Sequence, residues 1–374
     1  MSNKKKKIFL SAGEVSGDVH GGYLADKLFE YEKDITIHGI GGENMKKAGV
    51  KIIDDLTKKN SVGIVEGIPY FFSNLISLFH AKRYLKKKEF DAVVFIDNQG
   101  FNLNLAKTTS KENIKSFYYF APQLWLWGTK KPEKIVKNLD HILATFKREY
   151  EFYKSSNIKI DYIGHPLLEE LENNYSKKQI IDDLKIDEDG KKIISLFPGS
   201  RNQEFKKLFP KYLKIAERLK NQYRFVIPFA SKYFFDKYSE AVPGYINIFL
   251  NNSHKIMKIS DLIILSSGTA TLEAAIYEKP MIITYKVSKI TEWIARKIVK
   301  INHIGMPNIL MNKEIVPELI QEDFTVEKVI SFINKFFNDK KYYNSTMDNL
   351  SKLKKILKPD KAVSNAAKII LERC

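Results

Sequence analysis

Eight consecutive residues, Ser266-Ser267-Gly268-Thr269-Ala270-Thr271-Leu272-Glu273, combine a turn, a helix start and a carboxylate. They follow an apolar run, Leu262-Ile263-Ile264-Leu265, that reads as a buried strand. Small residues then turn the chain into a helix. Free N–H groups at a helix start bind anions, and glycine lets a phosphate come close. Glu273, about two turns in, can hold sugar hydroxyls or simply face solvent. A capping box is excluded because position 270 is Ala. The pattern sketches a nucleotide-sugar site.

Three further loops carry reactive groups. Leu196-Phe197-Pro198-Gly199-Ser200-Arg201, with Glu204 following, presents a guanidinium. Arg grips a diphosphate with two parallel hydrogen bonds, which Lys cannot do. The alternative is an ordinary turn with a surface Arg. Phe95-Ile96-Asp97-Asn98-Gln99-Gly100-Phe101-Asn102 puts Asp97 at a strand tip. A carboxylate there can take a proton from an attacking hydroxyl, or can close an Asx-turn. Ala12-Gly13-Glu14-Val15-Ser16-Gly17-Asp18 packs two glycines and two carboxylates into one turn. Glu14 and Asp18 either face a substrate across a cleft, or Asp18 caps the helix that follows. The seven histidines are scattered and none pairs at metal-ligand spacing, so no metal site is read. His165, in Ile163-Gly164-His165-Pro166, is either structural or lines the cleft.

Positioning these loops requires strands that end where they begin. Short apolar runs at 7–10, 35–40, 92–96, 116–120, 141–144 and 159–163 alternate with helical segments, the first helix at about 20–30. This is a parallel α/β pattern. A charged stretch, 169–192, reads as a linker with a short helix. The pattern then restarts, with strands at 192–197, 225–228, 246–250, 262–265 and 281–285. Two successive doubly wound domains follow from this order. In such sheets ligands bind beyond the carboxyl ends of the strands, where all the loops above lie. From about residue 325 two or three amphipathic helices close the chain.

With 374 residues the chain can bury two cores. Its single cysteine, Cys374, rules out an intrachain disulfide and fits a reducing cytoplasm. The basic start is followed by too short an apolar run for a signal peptide and reads as a solvated lead-in to the first strand. A net charge of +18 invites a nucleic-acid reading. Yet only seven of the 62 basic residues are Arg, and Lys is spread along the whole chain. This is compositional bias more than a nucleic-acid footprint. An anionic membrane surface or a phosphorylated substrate fits at least as well. Two stretches suit interfacial docking or, alternatively, core helices. Residues 68–79 are apolar and aromatic and lead into Lys82, Arg83, Lys86, Lys87 and Lys88. Residues 289–301 place Ile290, Trp293, Ile294, Ile298 and Ile301 on one helical face.

Taken in order, these blocks resemble the lipid-A-disaccharide synthase family, bacterial glycosyltransferases of the GT-B architecture. The loop at 12–18 matches the family's Ala-Gly-Glu-x-Ser-Gly-Asp. Gly39, Gly42, Met45 and Gly49 match a glycine-methionine segment, and Tyr119, Pro122, Trp125 and Trp127 match an aromatic one. Further blocks are Gly164-His165-Pro166, Pro198-Gly199-Ser200-Arg201, 267–273, Pro307-Asn308-Ile309-Leu310 and Pro317-Glu318-Leu319-Ile320-Gln321. The chain departs at Gly100, where the family carries a second acid, at Ala121 and Gly128, and around 145–148, which lacks a family Pro-Phe pair.

The resemblance implies two Rossmann-like domains facing a central cleft. Residues 1–170 form the acceptor and membrane-facing domain, with helices from about 350–374 packing back on it. Residues 171–349 bind the donor. It implies transfer from UDP-2,3-diacylglucosamine to 2,3-diacylglucosamine 1-phosphate through a β(1→6) bond, with inversion and release of UDP. Asp97 is the implied base. Gly199, Ser200, Arg201, Ser267, Gly268, Thr269, Ala270, Thr271, Glu273, Asn308 and Gln321 are the implied donor contacts. Gly13, Glu14, Ser16, Gly17, Asp18 and Trp125 are the implied acceptor or cleft residues. No cofactor or metal is called for. The expected partners are both acylated sugars and the cytoplasmic side of the inner membrane, bound peripherally, with a homodimer as an option and no nucleic acid. The alternatives are another UDP-sugar GT-B enzyme, an N-acetylglucosaminyltransferase or epimerase, and, remotely, a basic nucleic-acid binder.

Overall fold

A computed structural model describes residues 5–57, 67–126, 132–172, 175–187, 189–287 and 302–374, without the side chains of 67–73, 126, 134, 135 and 203. The first parallel sheet contains β1 (Lys6–Ala12), β2 (Ile35–Ile40), β3 (Lys51–Asp54), β4 (Ala92–Ile96), β5 (Lys115–Tyr119), β6 (His141–Ala144) and β7 (Lys159–Tyr162). Their spatial order is β3-β2-β1-β4-β5-β6-β7. The second contains β8 (Lys192–Phe197), β9 (Tyr223–Phe229), β10 (Ile246–Leu250), β11 (Leu262–Ser266), β12 (Met281–Tyr285) and β13 (Glu318–Ile320), in the order β10-β9-β8-β11-β12-β13. Both sheets are doubly wound. Their winding reverses between β1 and β4 in one and between β8 and β11 in the other.

The chain divides into two compact units, Met1–Glu170 with Leu357–Cys374, and Leu171–Ile356. In the first, alternation along β1 sends Ile8, Leu10 and Ala12 to one face and Phe9 to the other. Leu24 and Leu28 of the helix Val15–Tyr31 cover the first face beside Val363, Ala366 and Ile370 of the C-terminal helix Ala362–Arg373. Leu105 and Tyr153 cover the second. Buried on both faces, the central strands need continuous apolar runs, which is why they were readable. The C-terminal helix is capped by another segment: Glu169 accepts hydrogen bonds from the Val363 N–H (2.9 Å) and the Ser364 hydroxyl (2.7 Å). In the second unit Phe205 of the helix Asn202–Leu219 stacks on Phe209 and Phe234 over the sheet, with centroids 4.8 and 4.6 Å away.

The strands differ from the sequence expectation chiefly at two short edges. β3 and β13 give too few residues for a periodic signal. The first helix begins at Val15 rather than near residue 20. Gly17, Gly21 and Gly22 depress helix propensity there, but their missing side chains let the helix lie against Ile96, Met45 and Asn44. Tertiary packing overrides the local preference. The 289–301 stretch lies outside the described residues.

One buried acid gives the first unit a pH signature. Glu149 accepts hydrogen bonds from the Thr145 N–H (2.7 Å) and the Phe146 N–H (3.4 Å). Burial nonetheless pushes its carboxyl up to about 8. Folding therefore favours the protonated acid. That share of stability is complete below the ordinary carboxyl range and is lost as pH climbs through about 8. Paired thermal melts should show wild type losing stability relative to Glu149→Gln between about pH 5 and about pH 9. A constant difference over that range contradicts the assignment.

Candidate active site

In the first unit β1 and β4 pair in parallel with Ala12 opposite Ile96. The loops that follow, 13–18 and 97–102, therefore leave the sheet side by side. Their approach is close: a Cβ on Gly13 would fall 1.6 Å from Asn98 Nδ2. Any side chain there would force the Asn98 amide out of its place. Asp97 and Asn98 both take left-handed backbone, with φ of 51° and 41°. Each such residue costs about 1–3 kcal/mol and persists only where its surroundings enforce it. The Tyr118 hydroxyl and the Asn102 amide donate to the Asp97 carbonyl at 2.7 and 2.8 Å. Asn102 is itself fixed by the Ser11 hydroxyl at 2.6 Å. The backbone at Asp97 is thus tied down, and its carboxylate stands at the strand tip. Burial raises the Asp97 carboxyl above the ordinary range, while the Asn98 N–H and His20 pull it back. A carboxylate of raised basicity is suited to general-base work.

His20, absent from the sequence-expected set, belongs to this constellation. Its Nδ1 lies 2.7 Å from Glu170 Oε1, and its ring stacks on Phe120 with centroids 4.2 Å apart. Its signal was the helix itself: once the helix starts at Val15, residue 20 sits in its second turn. His165 packs edge-on against Phe120 and beside Phe146, and burial holds its imidazole down to about 3. It is a neutral core residue. Trp125, in the short 3₁₀ turn Leu124–Leu126, packs on Phe146, and Arg148 lies over its ring. Its indole N–H is buried without an acceptor among the described residues. Trp127 and Gly128 lie outside them. Glu14 is exposed at the first helix start and Ser16 is half-buried.

Asp18 corrects an expectation. It neither faces a substrate nor caps its own helix. It is 3% exposed. Its carboxylate accepts from the N–H groups of Gly42 (2.6 Å), Asn44 (3.0 Å) and Met45 (3.1 Å) and from the Asn44 amide (2.8 Å). It thereby caps the helix Glu43–Lys47 from outside that helix.

The second unit repeats the geometry. β8 and β11 pair with Phe197 opposite Leu265, so Pro198–Arg201 and Ser267–Thr271 lie side by side. Gly199 has φ of 97°, and a Cβ on it would fall 2.8 Å from Ser266 Oγ and 2.9 Å from Glu204 Oε2. Ser200 is exposed. Arg201, 76% exposed at its side chain, pairs at 3.4 Å with the buried Glu204. Burial raises the Glu204 carboxyl, and Arg201 lowers it. The helix Thr269–Ile276 starts at Gly268 with no side-chain cap, so its first N–H groups face the loop. Gly268 and Thr269 are exposed and Ala270 is half-buried. The Ser267 hydroxyl donates to the Ile304 carbonyl at 2.8 Å. Glu273 Oε2 lies 3.3 Å from His254 Nε2.

Two expected donor contacts are structural instead. Thr271 is buried, and its hydroxyl donates to the Gly268 carbonyl at 2.8 Å and accepts from the Met306 N–H at 3.3 Å. Asn308 is fully buried and saturated. Its amide donates to the Val316 carbonyl (2.8 Å) and Glu318 Oε1 (2.7 Å), and its oxygen accepts from the N–H groups of Ile315 (2.7 Å) and Val316 (3.1 Å). Gln321, at the carboxyl end of β13, accepts from the Val287 N–H at 2.9 Å. Glu318, which sequence reasoning did not single out as a site residue, accepts from Ile304 and Gly305 at 2.9 and 3.0 Å and holds that loop.

Two doubly wound parallel sheets in sequence, each with a glycine loop at its switch point, make a fold of the GT-B type. Solved structures share that fold. They include the glycotransferase of kitacinnamycin, with TM-score 0.69, 11% identity and 99% of each chain covered. UDP-GlcNAc 2-epimerase from Neisseria meningitidis bound to UDP-GlcNAc matches with TM-score 0.59 and 14% identity over 98% of this chain and 99% of that one. At such identity only the fold is shared. Sequence is more specific. A family model described as lipid-A-disaccharide synthetase matches residues 8–372. Lipid-A-disaccharide synthase of Coxiella burnetii strain CbuG_Q212 is 34% identical over 99% of this chain and 98% of that protein. Its counterpart from Sulfurihydrogenibium sp. strain YO3AOP1 is 36% identical over 98% and 97%. The chain belongs to the lipid-A-disaccharide synthase family, and is a glycosyltransferase of lipid A biosynthesis.

The Gly199 geometry gives a direct test. Gly199→Ala places a methyl against Ser266 and Glu204 in left-handed backbone, and should lower disaccharide synthesis at least about tenfold. Gly100→Ala, where a Cβ meets nothing within 4 Å, is the control and should change it less than about twofold. Equal effects in a product assay would contradict the packing argument.

Proposed function

We propose that the enzyme joins UDP-2,3-diacylglucosamine to 2,3-diacylglucosamine 1-phosphate by a β(1→6) bond, releasing UDP. Asp97 takes the proton from the acceptor 6-hydroxyl. The oxygen attacks the donor anomeric carbon in line, the bond from that carbon to the diphosphate breaks, and the configuration inverts. UDP departs with the bonding electron pair. Arg201 and the helix start at Gly268–Ala270 stabilise the negative charge that grows on the leaving diphosphate, as preorganised donors do. Glu273 holds the ribose hydroxyls. In this reading the second unit binds the donor, and the first binds the acceptor. Among the expected donor residues, Gly199, Ser200 and Ser267–Thr269 shape the phosphate loop, and Gln321 orders its far side.

The single observation that carries the reading is Asp97: a basic carboxylate on a strained, fully braced strand tip, at the switch point of the first sheet. Asp97→Asn should lower turnover about 10²–10⁴-fold. UDP affinity by calorimetry should stay within about twofold, because the substitution leaves the donor site untouched. Normal turnover in that variant sinks the base assignment.

We place the enzyme at the inner membrane's cytoplasmic surface. Among the described residues no helix is long and apolar enough to cross a membrane. The helix Gly67–Lys87 exposes Leu75, Ile76 and Phe79, the last 64% exposed, next to exposed Arg83, Lys86 and Lys87. An outward apolar strip flanked by cations suits the headgroup boundary of an anionic bilayer, where acylated sugars reside. Ile76→Ser with Phe79→Ser should cut flotation with phosphatidylglycerol vesicles several-fold, roughly the loss of two buried apolar side chains. Unchanged flotation would place the contact elsewhere.

A further inference from the structure

We infer that Glu318, on β13, is a positioning residue for the donor: acting through segment 304–306, it sets the helix start at Gly268 on which the diphosphate rests. This deepens the reading of the second unit as the donor unit, and depends on it.

Segment 304–306 cannot satisfy its own backbone. Ile304, Gly305 and Met306 bring no hydroxyl, amide or charged side chain. They lead into the helix Met306–Met311, which has no side-chain cap at Gly305. Glu318 supplies the missing acceptors, with its side chain 4% exposed. Its Oε2 accepts from the Ile304 N–H at 2.9 Å. Its Oε1 accepts from the Gly305 N–H at 3.0 Å and from the Asn308 amide at 2.7 Å. Left without an acceptor, such buried N–H groups destabilise the arrangement that buries them.

Sheet register explains why Glu318 reaches them. β12 and β13 pair in parallel with Ile283 opposite Glu318, so the two side chains share a face of the sheet. Gly305 lies against that pair. A Cβ on it would fall 2.2 Å from Ile283 Cδ1 and 3.1 Å from Glu318 Oε1. The segment is therefore pressed onto the sheet at a place that both strands fix.

From there two links run to the donor loop. The Ile304 carbonyl accepts from the Ser267 hydroxyl at 2.8 Å. The Met306 N–H donates to Thr271 Oγ1 at 3.3 Å, and the Thr271 hydroxyl donates to the Gly268 carbonyl at 2.8 Å. Ser267 and Thr271 bracket residues 268–270, whose backbone N–H groups meet the diphosphate in the proposed reaction. The helix Thr269–Ile276 has no side-chain cap of its own. Its start is thus held from outside, on both sides, by one segment, and Glu318 holds that segment. An anion binds a helix start well only while the N–H groups converge on it. A displaced segment lets them diverge.

The test is steady-state kinetics with each acylated sugar varied at saturating amounts of the other. The proteins are wild type, Glu318→Gln, Thr271→Val and the double variant. Gln keeps the shape of Glu but replaces one oxygen with an NH2 group, which meets an N–H donor and leaves it unpaired. Thr271→Val removes the far link with a side chain of similar shape. Each should raise the donor KM about fivefold or more, as expected for one buried N–H left unpaired. UDP affinity by calorimetry should fall in parallel. The acceptor KM should stay within about twofold, because the altered residues lie away from the acceptor unit. The double variant should raise the donor KM by less than the product of the two effects, because both act through one segment. Thr271→Val also serves where Glu318→Gln fails to fold. A lower kcat with both KM values unmoved means that the network only supports the fold, and overturns the inference. A double variant showing the full product of the two effects overturns it as well. A raised acceptor KM beside an unmoved donor KM overturns the placement of the donor in the second unit, and this inference with it.

Discussion

Everything at the candidate site depends on one topological constraint, the reversal of winding in a parallel sheet. From β1 the chain proceeds to one side, and from β4 to the other. The crossovers that follow the two strands must then diverge to opposite faces, since parallel connections keep one hand. No helix can cover the carboxyl edge between them. The same reversal recurs at β8 and β11. At both places two loops emerge in register, with Ala12 opposite Ile96 and Phe197 opposite Leu265. The loops are close enough that a single methyl would collide, at Gly13 with Asn98 and at Gly199 with Ser266. Glycine at these positions is a consequence of the topology rather than an independent feature.

Much of this was legible in the chain because parallel strands are buried on both faces. Val93-Val94-Phe95-Ile96 and Leu262-Ile263-Ile264-Leu265 carry no alternation to confuse, and the residue after each run marks the carboxyl edge. Reading Asp97, Gly199 and Gly268 as edge residues needed only that. What stayed hidden was the use of each polar side chain. Asp18 and Asn308 stand in the same motifs as exposed loop residues, yet one caps a helix 24 residues away and the other, on the helix Met306–Met311, saturates its amide with Ile315, Val316 and Glu318 of the segment that follows. Type and spacing do not reveal a partner supplied by a different segment. His20 was missed for the reverse reason. Three glycines made the first two turns of its helix look like a loop, and only packing against Met45 and Asn44 shows why a helix forms there.

The two units apply the same edge to opposite electrostatic ends. In the first the loops carry acids, and the fold must keep one of them basic without leaving it unbearably buried. It does so by division of labour. Asp18 accepts from four donors, Glu170 is hydrogen-bonded to His20, and burial raises the carboxyl of Glu149, which leaves Asp97 as the carboxyl tuned upward at the strand tip. In the proposed function the loops of the second unit accept negative charge. In that reading the helix start at Gly268 and the exposed Arg201 provide for it, but the buried Glu204 lies 3.4 Å from Arg201. An ionised acid there would oppose an incoming diphosphate. Burial raises the Glu204 carboxyl and the guanidinium lowers it, so the pair is held between two opposed effects.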